Sequence, residues 1–467
     1  MSHADIRPDN ERDEEQHPEE WELRLREVHF LLEQGEEQRL RALLAGMHAG
    51  DIAHVLEQAD GEDRERLVEL MRPDFDAEVL AYLPGELRDE IIETLHPKEL
   101  AAAVAELDTD DAVDVIQDLD EEARRQILEN LPPEARALVE EGLTFPEYSA
   151  GRLMSREFVS VPQFWTVGRL LDYLRAAAGT DDSELPEQFY DIFIIDPMYR
   201  VAGAVPLSRV MRAKRSVKLK DILTEDIHRI PATMDQEEVA RLFRRYALVS
   251  APVVDKSGRL IGVITVDDVV DVIEEEAEAD LLALGGVGED DLYRAVLDTT
   301  KSRFSWLGVN VVTAFIAATV IGLFEATIEQ VVALAVLMPI VASMGGNAGT
   351  QTLTVAVRAL ATRELTSSNA KRVIGKELLV GFLNGVLFAS IVGIIATLWF
   401  RQPLIGAVIA GAMVTNMVCA GLFGTLIPLT LDRLKIDPAV ASGVFLTTVT
   451  DVVGFFAFLG LATLVLL

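Results

Sequence analysis

Hydrophobic positions along this chain change their spacing twice, and each change marks a new kind of element. From Trp21 to about His48 apolar residues recur at helical spacing, at Leu23, Val28, Leu31, Leu32, Leu40, Leu43 and Leu44. A repeat follows. Leu83, Leu95, Leu107, Leu119 and Leu131 stand twelve residues apart, and Met71 extends the series backwards. After each comes a helix-starting residue: Pro84, His96-Pro97, Asp108, Asp120 and Pro132. Short helices at a fixed period predict a superhelical, solenoid-like domain ending near Glu147.

From about Tyr148 the texture changes to strands. Residues 153–162 (LMSREFVSVP) align with residues 222–231 (ILTEDIHRIP) at an offset of 69. An amphipathic helix is expected after each, over Val167–Ala177 and Glu237–Leu248. Two short apolar strands then close each unit, Ile192–Ile195 with Val201–Val205, and Ala251–Val254 with Leu260–Val266. This tandem β-α-β-β-α pattern resembles a pair of cystathionine-β-synthase (CBS) domains, best in the second unit, APVVDKSGRLIGVITVDDVVDVI. The resemblance implies that Thr265 and Asp268 touch the ribose of a bound adenine nucleotide such as ATP. The first unit reads GAVPLSRV, with Arg209 where the Asp would be.

The last third holds five runs with almost no charge: Phe304–Phe324, Val331–Val357, Leu378–Phe400, Gln402–Leu431 and Pro438–Leu467. Each is long enough to cross a bilayer. Basic residues cluster after the second run (Arg358, Arg363, Lys371, Arg372, Lys376), after the fourth (Arg433, Lys435) and before the first (Lys301, Arg303). The opposite loops hold only Arg401. That asymmetry places the N-terminal domains in the cytoplasm and, with five spans, the C-terminus outside.

Charge sharpens the division. The chain carries a net −34, yet from Lys301 onward 10 basic and 7 acidic residues leave a net of +3, so the first 300 residues hold −37. So acidic a soluble half repels nucleic acid and anionic lipid and attracts cations. One cysteine, Cys419, excludes a disulfide framework and a Cys-based zinc site. Residues 1–20 are polar and acidic, expected to be disordered and unlike a signal peptide.

Asp451 is the only charge in the last run. A carboxylate at that depth costs roughly 2.5–3.5 kcal/mol on insertion scales unless it meets water, a cation or a partner. It is either a hydrogen-bonded structural Asp within a bundle, or part of an acidic ring that symmetric subunits present to a cation pathway. Asp437 sits at the cytoplasmic mouth of the same helix, 14 residues earlier, or about 21 Å along it. In the second run Pro339 precedes Ser343-Met344-Gly345-Gly346-Asn347-Ala348-Gly349-Thr350-Gln351. Three glycines among polar side chains predict backbone released from helical bonding, tolerated only where protein or water covers it. The competing reading is close helix packing through small residues.

A connecting helix is expected over residues 274–302. Its start is dense in acid, with Asp271, Glu274, Glu275, Glu276, Glu278 and Asp280. Like charges one turn apart destabilise a helix unless neutralised, and hard cations collect oxygen ligands in this way. Asp110 and Asp114 likewise lie one turn apart in the solenoid. Asp267-Asp268-Val269-Val270-Asp271 also spells the DDxxD of magnesium-diphosphate enzymes, but it ends a strand and opens a helix outside any all-helical cavity.

The order of acidic solenoid, CBS pair, acidic connecting helix and five spans, with PxxxSMGGNAGTQ in the second span and TTVTDVVGFF in the fifth, resembles the MgtE family of magnesium channels over essentially the whole chain. The fold class this implies is a multidomain membrane protein with four ordered parts. They are an α-helical superhelical N-domain (21–147), an α/β CBS domain pair (148–273), a connecting plug helix (274–302) and an all-α transmembrane domain of five helices (303–467). The resemblance implies a non-enzymatic homodimer in the bacterial inner membrane, with one pore on the two-fold axis. Asp451 would be its magnesium-holding carboxylate, Asp437 the acid at the entrance, and Asn347, Gly345 and Gly346 would help shape the pore. Regulatory magnesium would bind Asp235 and Glu237, then Asp268, Asp271, Glu276 and Asp280, and in the solenoid Glu78, Asp110 and Asp114. Ala247 and Ala279 stand where the family often carries acids.

Magnesium holds its water tightly, so paired Asp451 carboxylates would bind it through waters and select it by hydrated size. Cytosolic magnesium bridging the acidic half would brace the pore shut. Two other readings compete: an ion-coupled secondary divalent-cation transporter, and a membrane-anchored CBS nucleotide sensor.

Overall fold

The computed structural model describes residues 17–72, 75–117, 119–177, 185–186, 188–288 and 296–467. The disordered N-terminus expected over 1–20 lies outside them as far as residue 16. Residues 17–20 correct that expectation, because they form the first turn of a helix. Two compact units divide between Glu275 and Glu276.

The first unit begins with short helices: α1 (His17–Gln34), α2 (Glu37–Leu44), α3 (Ala49–Gln58), α4 (Gly61–Met71), α5 (Glu78–Ala81), α6 (Gly85–Thr94), α7 (Pro97–Val104), α8 (Thr109–Gln117), α9 (Glu121–Asn130) and α10 (Pro133–Gly142). The helical spacing from Trp21 to about His48 is carried by two helices, α1 and α2, because Gly35 at φ +67° breaks the path between them. Helices pack on the next but one: α2 on α4, α4 on α6, α7 on α9, and α8 on α10. That is the stacking of a superhelix.

The twelve-residue period has a physical basis. Leu83, Leu95, Leu119 and Leu131 are buried at the turns. Pro84 and Pro132 are N-caps, Pro97 opens α7, and Asp120 accepts a hydrogen bond from the Ala123 N–H. Leucine therefore ends each helix on the core while the next residue starts another. A second periodic feature escapes a hydrophobic reading. Arg64 donates to the Leu56 and Ala59 carbonyls, and Arg124 to those of Ile116, Gln117 and Leu119. These cations satisfy the C-terminal carbonyls of α3 and α8.

The rest of the first unit repeats one motif. β1 (Ser160–Pro162), α11 (Val167–Ala177), β2 (Asp191–Ile195), β3 (Val201–Pro206) and α12 (Leu207–Arg212) precede β4 (Ile230–Pro231), α13 (Gln236–Tyr246), β5 (Ser250–Val254) and β6 (Leu260–Thr265). The sheets have orders β1-β2-β3 and β4-β5-β6, each with a parallel then an antiparallel pairing. Their irregularities coincide, at Ile194/Ile195 and Val253/Val254. Buried Val, Ile and Leu fill both cores.

α14 (Val266–Gly285) follows and crosses the division between the units. The helix expected to reach Ser302 stops here. Gly286 takes φ +67°, its N–H bonds the Ala283 carbonyl, and the Val287 N–H bonds that of Leu282, which is a Schellman ending.

The second unit holds α15 (Val296–Gly322), short α16 (Glu325–Gln330), α17 (Ala333–Ala361), α18 (Ala370–Phe400), α19 (Pro403–Arg433) and α20 (Pro438–Leu466). Five of these, all but α16, are long and apolar enough to cross a membrane. α19 is the most enclosed, packing on α17, α18 and α20. Its seam with α18 is made by glycine. A Cβ on Gly421 would meet the Glu377 carbonyl at 2.6 Å, and one on Gly393 the Gly406 carbonyl at 3.0 Å. The backbone release expected around Gly345 is not found. α17 runs as one helix through Pro339 and all three glycines, because the glycines serve approach of neighbouring helices instead. A Cβ on Gly345 would clash with Asn416, and one on Gly349 would lie 3.0 Å from Leu446.

Candidate functional site

Two groups of polar side chains stand out, one in each unit. In the membrane-type unit, helical spacing puts Ser343, Asn347, Thr350 and Thr354 on one face of α17, and all four are exposed. On α20, Thr447 and Asp451 lie one turn apart, the first exposed and the second half-buried. The faces adjoin: a Cβ on Gly346 would sit 4.0 Å from the Thr447 methyl. Asn347 Nδ2 donates to Ser343 Oγ at 3.5 Å, and Thr447 Oγ1 to the Gly443 carbonyl at 2.6 Å. Asp451 is therefore neither sealed in the bundle nor isolated among apolar neighbours. It belongs to a polar strip, bare on a single chain. Of the three predicted pore-shaping residues on α17, Asn347 is exposed on this strip, Gly346 borders it, and Gly345 is buried behind it.

At the start of α20, Asp437 is the N-cap and accepts a 2.8 Å hydrogen bond from the Ala439 N–H. Asp280 on α14 lies within its influence. Burial, then the Asp437 and Glu276 carboxylates, hold the Asp280 carboxyl above the usual range. Beyond them Ala283 and Leu284 pack with Leu353, Val357, Ala439 and Leu446. Three predicted acids, Glu276, Asp280 and Asp437, thus share one region near the N-terminal end of α20.

In the first unit, residues from three distant stretches converge. Asp110 and Asp111 of α8 face Asp268 of α14, and burial first, then Asp268, holds both carboxyls high, Asp111 at about 7. Asp268 rises to about 6, chiefly through burial. Asp271 is raised by burial and by Asp267, Glu274 and Asp114. Glu78 of α5 adds to the field on Asp111, and the raised Tyr82 hydroxyl feels burial, Glu78, Asp111 and Asp271. Asp110 Oδ1 is buried without a hydrogen-bond partner among the described residues. Like charges gathered out of water require protons or cations, and an all-oxygen donor set suits a hard divalent ion.

Other predicted residues already have partners. Asp114 pairs with Arg88 at 2.6 Å and accepts from Gln117. Asp235 caps α13 through the Glu237 N–H, and Glu237 pairs with Arg241 at 2.8 Å. Among the described residues no three His, Cys, Asp or Glu side chains of this single chain converge at metal-ligand spacing. Thr265 donates through its N–H and its hydroxyl to Asp268, each at 2.9 Å, fixing the turn into α14. Arg209, in the corresponding turn of the first repeat, is spent on the Ile222 carbonyl and Thr224 hydroxyl.

Two residues were missed from sequence. Glu377 stood just outside the third apolar run, yet α18 begins earlier and buries it, with Thr352 donating to it at 3.3 Å. Asn416 is wholly buried in α19. A polar residue within an uncharged run was the available signal for it.

Comparison with known proteins now bears on these sites. Residues 338–461 match the MgtE divalent cation transporter family, residues 47–148 the MgtE intracellular N domain, and residues 219–275 the CBS domain. The magnesium transporter MgtE of Thermus thermophilus is 34% identical over 77% of this chain and 79% of its own length. That of Bacillus subtilis is 30% identical over the same shares. A crystal structure of the cytosolic domain of the Mg2+ channel MgtE in complex with ATP is 33% identical, covering 52% of this chain and 98% of that one at a TM-score of 0.48. On the strength of relatives aligned over more than three quarters of its length, the chain belongs to the MgtE family of magnesium transporters.

Proposed function

We propose that this protein is a magnesium channel that imports Mg2+ across the bacterial inner membrane and closes when cytosolic Mg2+ is high. The observation that carries the reading is the polar strip of Asp451, Thr447, Asn347, Thr350 and Ser343 on otherwise apolar membrane-type helices. Left against lipid, such a strip costs several kcal/mol. A second copy facing it across a two-fold axis covers it and doubles Asp451, so the working unit is a homodimer. Two carboxylates lined by hydroxyls and an amide hold a hydrated ion through its waters.

The acids supply the gate. Where Asp110, Asp111, Asp268 and Asp271 gather, Mg2+ relieves repulsion that burial has amplified. Asp280 and Asp437 repeat that arrangement at the mouth of α20. Because α14 carries acids of both groups, neutralising them stiffens one continuous element that ends against the pore helices. Several such sites multiply small differences in affinity into a switch. Asp114, Asp235 and Glu237 contribute in this scheme only by exchanging their arginine or capping partners for the ion. ATP, if it binds, uses the second repeat, where Thr265 and Asp268 stand together. The N-terminal domains are cytoplasmic and the C-terminus outside, as the distribution of Lys and Arg indicates.

Asp451→Asn, expressed in a bacterial strain that requires added magnesium, tests the conduction reading. Loss of rescue with normal membrane levels supports it, and full rescue by the variant refutes it.

A further inference from the structure

Asn416 is 0% exposed, at the centre of the most enclosed helix of the second unit. Its Nδ2 donates to the Val341 carbonyl of α17 at 2.8 Å. One turn along α17, a Cβ on Gly345 would lie 2.1 Å from the same nitrogen, and on α20 a Cβ on Gly454 would lie 2.7 Å from it. One amide therefore occupies the space of two missing side chains on two different helices. Its Oδ1 has no hydrogen-bond partner among the described residues. A core selected for stability alone would place an apolar side chain here, since an unmatched buried acceptor is a cost with no return in packing. The arrangement must serve something else.

Its position says what. Gly345 lies two residues before Asn347, and Gly454 three residues after Asp451, so each glycine is within about one turn of a polar-strip residue. Rotating α17 or α20 enough to carry Asn347 or Asp451 off the strip drives its backbone into the amide. We propose that Asn416 is a positioning residue of the ion pathway: its side chain fixes α17 and α20 against α19 in the register that turns Asn347 and Asp451 to one polar face. The inference rests on the reading of that face as the conducting path. Asn416 touches no ion. It sets how closely the groups that do can be spaced, and so governs discrimination between a small hydrated cation and a larger one.

Full-length variants in proteoliposomes test this through Mg2+ flux and its competition by Ca2+, with monodispersity on gel filtration as the check on assembly. Asn416→Leu keeps the branching at Cγ, with a larger side chain, and removes the amide. It should assemble, yet lose about tenfold or more in Mg2+ flux or in preference over Ca2+, as misplacement of such groups does. Gly345→Ala should fail to assemble or to conduct. The double variant Gly345→Ala with Asn416→Ala relieves the clash, and should recover assembly without recovering selectivity. If Asn416→Leu does not fold, this double variant decides. A residue that merely packs would change how much protein folds, not the selectivity of what does. Wild-type flux and preference in Asn416→Leu, or in the double variant, overturn the inference. Asp451→Asn separates the two ideas. If it conducts normally the pathway reading fails, whereas if it is dead while Asn416→Leu is normal only the positioning role fails.

Discussion

In the proposed gate individual carboxylates carry the regulatory chemistry, and their behaviour follows from where they are buried. Asp111 and Asp268, with pKa values raised to about 7 and about 6, hold protons in the folded state that an unfolded chain would release near pH 4. Their contribution to stability is complete below that pH and is lost as pH rises through 6 to 7, where they ionise against burial and one another. In the proposed gate magnesium substitutes for those protons. Without divalent ions the melting temperature of the full-length protein should therefore fall between pH 5 and pH 8. Added Mg2+ should restore it most at pH 8, and binding should release protons near pH 6, where the two carboxyls still hold them. An Mg2+ stabilisation independent of pH would contradict this. Arg64 is a second case. It is 8% exposed, caps two carbonyls and pairs with Glu90. Arg64→Ala should cost about 2–4 kcal/mol in chemical denaturation, because hydrogen bonds to buried charged donors weigh more than neutral ones.

Elements were more legible than sites. The five apolar runs, the twelve-residue leucine period and the tandem strands each come from a hydrophobic repeat, and each produced helices or strands close to the expected bounds. Gly285-Gly286 ends α14, short of the Ser302 expected, because a glycine stop outweighs the helical pattern on either side of it. In α17 the glycines looked like a break because composition does not reveal a neighbour. Only with α19 and α20 in place is it plain that the missing Cβ atoms make room for Asn416 and Leu446. The convergence of Asp110 and Asp268 depends on folding across 158 positions and has no local signature. Arg88, 26 positions before Asp114, was hidden for the same reason, whereas Arg241 stands one helical turn after Glu237 and had a local signature. At the end of α13, Ala247 takes a left-handed φ of +51°. A non-glycine residue there carries strain, so Ala247→Gly should stabilise the protein by about 0.5–1 kcal/mol in denaturant titration, and a loss of stability would refute that account.

For the whole molecule, the proposed function makes one scheme of the charge asymmetry and the polar strip, in which the acidic half senses the ion that the membrane half passes. Replacing Asp268, Asp271 and Glu276 together with Ala should leave the pore conducting at cytosolic magnesium concentrations that close the unmodified protein, and unchanged closure would reject the gate. In the proposed function, conduction rests on Asp451 and its copy across the two-fold axis. The most direct measurement is patch-clamp current from the full-length protein with Mg2+ as the only permeant cation and no sodium or proton gradient. The account predicts a current that reverses at the magnesium equilibrium potential and vanishes in Asp451→Asn. A current unchanged in that variant, or flux only when another ion gradient is imposed, would contradict it.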